Sequence, residues 1–202
     1  MENFQRIVFS KIANKALNKI KRKVYIKDEV LILKQQYKQE DINFLDNIDI
    51  KILNEKDLES LSQKKSQTLK GEMAQGNIIY GIIINDQIAH YSCVAFKSHA
   101  IREINKIFIL PTEGIYIFNC YTFEKYRGKQ LYYIMLKFLS REYKNLDKYI
   151  VVSRYNKISY HVIKKAGFFK IAEFKYKKIF NKEELLMIDV PKEIREHLIK
   201  FE

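Results

Sequence analysis

Apolar positions along the chain change period several times, and each change marks an element. Over residues 3–22, Phe4, Ile7, Val8, Ile12, Ala16 and Ile20 recur at intervals of three and four, with Lys11, Lys15 and Lys19 on another stripe. That spacing predicts an amphipathic basic helix. The run KVYIKDEVLILKQQY (23–37) reads as extended, with a hairpin turn at Lys27-Asp28, and the polar stretch 38–47 links it to the remainder of the chain. Residues 49–53 alternate like a strand, and Asn54 or Asp57 is placed to cap a helix over 57–70. The β-branched and aromatic runs NIIYGIII and QIAHYSCVAF flank Asn85-Asp86, a strong hairpin signal.

The second half alternates more regularly. An irregular segment (98–113) holding Pro111 leads to a strand over 114–123, a helix over 131–144 and a strand over 148–154. A further helix comes next, with Asn156 at its N-cap and Gly167 at its stop. KIAEFKYKKIF and ELLMIDV form a last strand pair around Asn181-Lys182, and Pro191 opens a terminal helix ending near Lys200. Hairpins plus one strand–helix–strand unit imply an α/β (α+β) chain: a mixed, mostly antiparallel sheet flanked by helices, with strands 114–123 and 148–154 parallel. Ligands tend to bind at the ends of such strands. The expected division is residues 1–47, a basic helix and extended segment, and residues 48–202, the sheet domain.

At 202 residues and 47% hydrophobic, the chain can bury a core of its own. No apolar run approaches the roughly 20 residues that span a bilayer, and the N-terminus lacks the pattern of a secretory signal. Two cysteines, Cys93 and Cys120, sit in strand-like runs. They suit a reducing cytoplasm, and no Cys/His spacing resembles a metal site.

Charge narrows the partners. Thirty-seven basic against 24 acidic residues give +13, which favours an anionic partner. Residues 1–24 hold seven basic residues and one acidic residue. No RNA-binding signature, zinc finger or basic zipper accompanies them, so no specific nucleic-acid partner is expected. The 3–22 helix either packs on its own domain or on a second subunit in a homodimer, or lies on an anionic membrane surface; the packed reading is preferred.

One short stretch carries chemistry. In TFEKYRGKQLYYIMLKFL (122–139) a strand passes to a helix through a basic loop with one glycine. Helix N-termini present unpaired N–H groups and partial positive charge. Arg127 and Lys129 beside that end, with Gly128 permitting close approach, make a candidate phosphate site.

YRGKQLYYIML, succeeded by an asparagine helix ending in Ala166-Gly167-Phe168, resembles the signature of the GCN5-related N-acetyltransferase (GNAT) superfamily. Tyr126, Arg127, Gly128 and Lys129 match its loop, and Asn156 and Ser159 its later element. The agreement of strand and helix order runs from about residue 48 to 190. The resemblance implies acetyl-CoA as cofactor, its pyrophosphate held by Arg127, Gly128, Lys129, Gln130, Leu131 and Tyr132. Pantetheine would lie along Cys120, Tyr121 and Thr122. Gln130 and Tyr132 depart from the family's small residues, Ile163 stands where a tyrosine acid is frequent, and Tyr116 and Phe118 occupy the neighbourhood of a glutamate base.

The reaction so implied is direct attack of an amine on the acetyl thioester. His90 is the candidate base, since histidine titrates near neutrality, and Tyr121, Tyr160 and Tyr91 are candidate acids. Cys120 reads as a small buried residue. Resemblance to acetyltransferases encoded with bacterial surface-polysaccharide enzymes suggests a nucleotide-linked amino sugar as acceptor. The alternatives are a protein or RNA amine, or a non-catalytic module of the same fold.

Overall fold

A computed structural model describes residues 25–36, 48–179 and 182–200. The expected helix over 3–22, the link 38–47 and the tip at Asn181 lie outside the described residues. In chain order the strands are β1 (Tyr25–Gln35), β2 (Ile50–Ile52), β3 (Ile78–Ile84), β4 (Gln87–Ala95), β5 (Ser98–Ile101) and β6 (Lys106–Ile109). After them come β7 (Gly114–Thr122), β8 (Asp147–Ser153), β9 (Phe169–Ile179), β10 (Lys182–Asp189) and β11 (Leu198–Lys200). The α-helices are α1 (Gln63–Ala74), α2 (Leu131–Glu142), α3 (Lys157–Lys165) and α4 (Lys192–Glu196).

Among the described residues, eight strands form one sheet in the order β10-β9-β1-β8-β7-β4-β3-β2, and β11-β6-β5 form a smaller one. The β3–β4 hairpin turns through Asn85 and Asp86, both at positive φ (51° and 58°), as the Asn-Asp signal predicts. Pairing is antiparallel throughout the large sheet except between β7 and β8, which run parallel. This is the mixed, mostly antiparallel architecture expected.

Four local expectations are corrected. The chain does not fold back at Lys27-Asp28: β1 is one continuous strand, antiparallel to β8 on one side and β9 on the other. Its VLIL run explains this, because Val30, Leu31, Ile32 and Leu33 are all buried, filling the cores on both faces of the sheet. The extended part of segment 1–47 is therefore an inner strand of the sheet formed by later residues. The helix expected over 57–70 is instead a 3-10 turn, Asp57–Ser60, succeeded by α1. There Asn54 and Asp57 each accept the other's main-chain N–H, closing the turn before α1 begins. Residues 98–113 contain β5 and β6, whose short alternation is hidden by the intervening turn at Arg102–Ile104. The last helix stops at Glu196, and residues 198–200 pair with β6 rather than extending it.

Two cores result. The face carrying α2 and α3 buries Ile115, Ile117, Ile150 and Val152 against Leu131, Met135, Leu136 and Ile163. The opposite face buries Tyr116, Tyr149 and Phe174 against Phe108 of the small sheet and Ile194 of α4. Among the described residues no helix is long and apolar enough to cross a membrane, and no His/Cys/Asp/Glu group could hold a metal ion.

Candidate active site

The site begins where two strands part. β7 and β8 pair only from Gly114↔Asp147 to Ile117↔Ile150. At the closed end, a Cβ on Gly114 would lie 2.6 Å from the Asp147 carbonyl oxygen, so only glycine permits this approach. Beyond Ile117 the strands separate. The other edge of β8 stays fully engaged, paired with β1 from Val30↔Ser153 to Gln35↔Lys148. Ser153 Oγ donates to Asp28 Oδ1 at 2.6 Å, and Arg154 N donates to the Glu29 carbonyl at 2.7 Å. β1 thus holds one wall of the gap in place.

The other wall is bent by a β-bulge. Tyr91↔Tyr121 and Cys93↔Phe118 are in register with β4, so Asn119 and Cys120 together oppose Ser92. Asn119 takes φ 46°, the left-handed conformation that asparagine tolerates. Bulges of this kind re-aim side chains and free main chain from the ladder.

A cleft of about 660 Å³ lies on the α2/α3 face of the gap. Its lining includes the candidates His90, Cys120, Tyr121, Thr122, Arg127, Gly128, Gln130, Leu131, Tyr132, Asn156 and Ser159. Three candidates stand elsewhere. Lys129 has its ammonium 5.7 Å from the Tyr126 ring centre, outside the lining, Tyr160 packs against the core on α3 with Lys164 over its ring, and Tyr91 is buried in the core beside Leu69 and Cys93. Ile158 and Val162 line the cleft although sequence reasoning passed over them, and Tyr126, matched in the loop but given no role, lines it too. Tyr126 is buried, whereas Ile158 is 82% exposed, an aliphatic side chain open to solvent at the rim. That exposure is invisible in the helical pattern, where Ile158 reads as one more core position.

At the N-terminus of α2, Gln130 stands in the left-handed region (φ 57°) and offers no side-chain cap; its amide oxygen instead accepts from Lys165 Nζ at 3.0 Å. The first-turn N–H groups have no intrahelical acceptor and face the basic loop. Gly128 has φ +81° and open space where a Cβ would stand. Arg127 is exposed, held loosely by Glu124 Oε1 at 3.5 Å and the Thr122 carbonyl at 3.4 Å. Asn156 caps α3, its Oδ1 accepting from Ser159 N at 3.1 Å.

The inner end of the cleft holds a chain of polar side chains. Tyr132 does not reach toward the loop but turns inward, its ring stacked on His90 and its phenol near Cys120. Burial, with Cys120 beside it, keeps that phenol protonated well above the usual tyrosine range. Burial likewise pushes the Cys120 thiol up to about 11, so it is not a ready nucleophile. Cys120 Sγ donates to the Phe118 carbonyl oxygen at 3.6 Å, and His90 bonds Ser92 Oγ through Nε2 (2.9 Å) and Thr122 Oγ1 through Nδ1 (2.8 Å). In the neutral imidazole one of these nitrogens donates to its hydroxyl partner and the other accepts.

This arrangement bears directly on the expectation for His90. The residue is 0% exposed and both ring nitrogens are engaged. Desolvation pushes its pKa down to about 3, which leaves it a very weak base at neutral pH. His90 orients Thr122 and Ser92. Tyr121 has its ring between Tyr91 (centroids 5.7 Å apart) and the Lys65 ammonium, 3.5 Å from the ring centre.

Solved structures of similar fold bear on this geometry. An acetyltransferase of the GNAT family from Colwellia psychrerythraea aligns with TM-score 0.54 and 15% identity over 78% of this chain and 57% of that one. A putative GNAT-family acetyltransferase from Novosphingobium aromaticivorans aligns with TM-score 0.51 and 12% identity over 75% and 63%. A GCN5-related N-acetyltransferase-like protein from Streptococcus suis aligns with TM-score 0.52 and 15% identity over 82% and 67%. No family model and no curated protein matches the sequence. The chain has the fold of GNAT acetyltransferases, and it spans well under two thirds of the length of the first of these structures.

Proposed function

We propose that the protein is an acetyl-CoA-dependent N-acetyltransferase acting on a small-molecule amine. The observation that carries this reading is the parting of β7 from β8 beside the uncapped, basic N-terminus of α2, with one cleft running between them. The residues suit coenzyme A. Arg127 and the main-chain N–H groups from Gly128 to Leu131 would hold its diphosphate. Main chain at Cys120, Tyr121 and Thr122 would hold pantetheine, and Asn156, Ile158 and Ser159 border the outer part of the cleft. Bound there, acetyl-CoA supplies an acetyl group activated as a thioester.

The chain's own residues then divide the work. Main chain released by the bulge at Asn119–Cys120 offers fixed dipoles where negative charge develops, the arrangement that often supplies the largest catalytic contribution. Tyr132 holds a proton at its phenol oxygen, beside Cys120, and would pass it to the sulfur as the C–S bond breaks, while the attacking amine gives its own proton to solvent, from which Tyr132 is reprotonated. It takes the part that Ile163, fully packed in the core, cannot. Among amines, the nucleotide-linked amino sugar is the acceptor that the resemblance implies.

Thiol release from acetyl-CoA in the presence of a mixed panel of amines tests the reading. Amine-dependent release supports it. Acetyl-CoA binding without release from any amine would reduce the protein to a binding module of the same fold.

A further inference from the structure

A second cavity, of about 270 Å³, lies on the opposite face of the same gap. Its walls include Glu72 of α1, His99, Arg102 and Glu103 around the end of β5, and Phe118 and Asn119 of β7. Asn119 belongs to the bulge whose next residue, Cys120, lines the first cleft. The two cavities therefore stand back to back across one bulge, at the place where no β7–β8 ladder separates them.

The composition of this cavity differs from the molecule around it. Against a whole-chain charge of +13, its wall carries two carboxylates and one guanidinium. Glu72 is only 5% exposed. Asn77 Nδ2 donates to its Oε2 at 2.9 Å, and its Oε1 forms a long ion pair with the exposed Arg102, 3.9 Å from Nη2. Glu103 is exposed at the mouth. The apolar wall is aromatic: His99 stacks on Phe118 with centroids 3.7 Å apart, and Phe118 on Tyr116 at 5.8 Å. Burial lowers the pKa of His99, so this ring adds no positive charge at neutral pH.

Carboxylates beside aromatic faces form a site for an ammonium ion. The volume lies near the lower end for small-molecule pockets, which suits a compact acceptor rather than a segment of folded protein. We infer that this cavity receives the acceptor, and that the acceptor is a small aliphatic diamine rather than a nucleotide-linked amino sugar: one nitrogen is held as an ammonium by Glu72 and Glu103, and the other, having given its proton to solvent, attacks the thioester carbonyl. Two phosphates on a nucleotide-linked acceptor would meet those carboxylates at close range, a repulsion that the single Arg102 does not offset. The inference rests on the acetyl-transfer reading and narrows it.

The experiment uses the full chain, with a linear four-carbon diamine and a nucleotide-linked amino sugar as probes. Calorimetry of the coenzyme A-saturated protein measures probe binding, and thiol release measures kcat/KM. The diamine is expected to bind and to be the better substrate. Glu103→Lys, a change at an exposed position, should lower its kcat/KM on the order of tenfold and leave coenzyme A affinity unchanged. Glu72→Gln, checked for folding by circular dichroism, should weaken diamine binding at least as much. Preference for the nucleotide-linked probe, or diamine binding unaltered in both variants, would overturn the acceptor assignment while the acetyl-transfer reading stood. Failure of the wild-type protein to bind coenzyme A would overturn both.

Discussion

Tyr132 stacks on His90, with ring centroids 5.6 Å apart and planes inclined by 27°. The contact joins the first turn of α2 to β4 across the inner end of the cleft, and it fixes the phenol against Cys120. A residue that breaks the family's small-residue pattern is thereby built into the wall where the acyl group is proposed to lie.

Tyr132→Phe keeps the ring and its stack but removes the proton. Turnover should fall about a hundredfold or more, the scale of a lost general acid, while acetyl-CoA affinity stays within about twofold. Thiol-release kinetics alongside calorimetry separate the two effects. Unchanged kcat would remove Tyr132 from the chemistry.

His90 offers a pH test. Its pKa is depressed in the folded protein, so between about 6.5 and about 3 the unfolded chain binds a proton that the folded chain refuses. Stability from this group is complete above that window and declines as pH falls through it, by about 1.4 kcal/mol per pH unit. Urea unfolding of wild type and His90→Gln at several pH values should show the variant's stability falling less steeply. Turnover of His90→Gln should remain within about tenfold of wild type, as suits an orienting residue.

Two glycines should respond differently to alanine. At Gly114 a methyl group meets the Asp147 carbonyl at 2.6 Å and Tyr149 at 3.1 Å, so Gly114→Ala should cost about 1–3 kcal/mol through overpacking at the closed end of the gap. At Gly128 nothing lies within 4 Å, and the cost is that of the left-handed backbone alone, about 1–2 kcal/mol. Denaturation midpoints give both values. The Gly128 variant should also lose coenzyme A affinity, because its methyl group occupies the space left for phosphate.

Asn156→Ala removes the side-chain cap of α3 and should cost about 1 kcal/mol of stability. A midpoint shift at constant denaturant slope would report it.

The elements that could be read in advance were those with local causes. The Asn85-Asp86 hairpin, the Asn156 cap and the strand–loop–helix around Arg127 each arise from a few neighbouring residues. β1 could not be read this way, because its neighbours in the sheet lie more than a hundred residues downstream. A buried VLIL run fits a hairpin arm as well as an inner strand, and periodicity alone does not choose. The candidate site divides similarly. The candidate phosphate loop was visible as a motif, whereas the burial of His90, the inward turn of Tyr132 and the second cavity all depend on contacts between distant segments. Strength of motif did not guarantee position either, since Lys129 sits inside the matched loop yet outside the cleft.

The acetyl-transfer reading depends above all on the uncapped end of α2 and Arg127 gripping a diphosphate. Calorimetric titration of acetyl-CoA into wild type and Arg127→Glu isolates that grip, because residue 127 is exposed and its replacement leaves the core untouched. Saturable one-to-one binding by wild type, weakened at least about thirtyfold in the variant, is the expected result. Equal affinity in the two proteins, or no binding by either, would refute it.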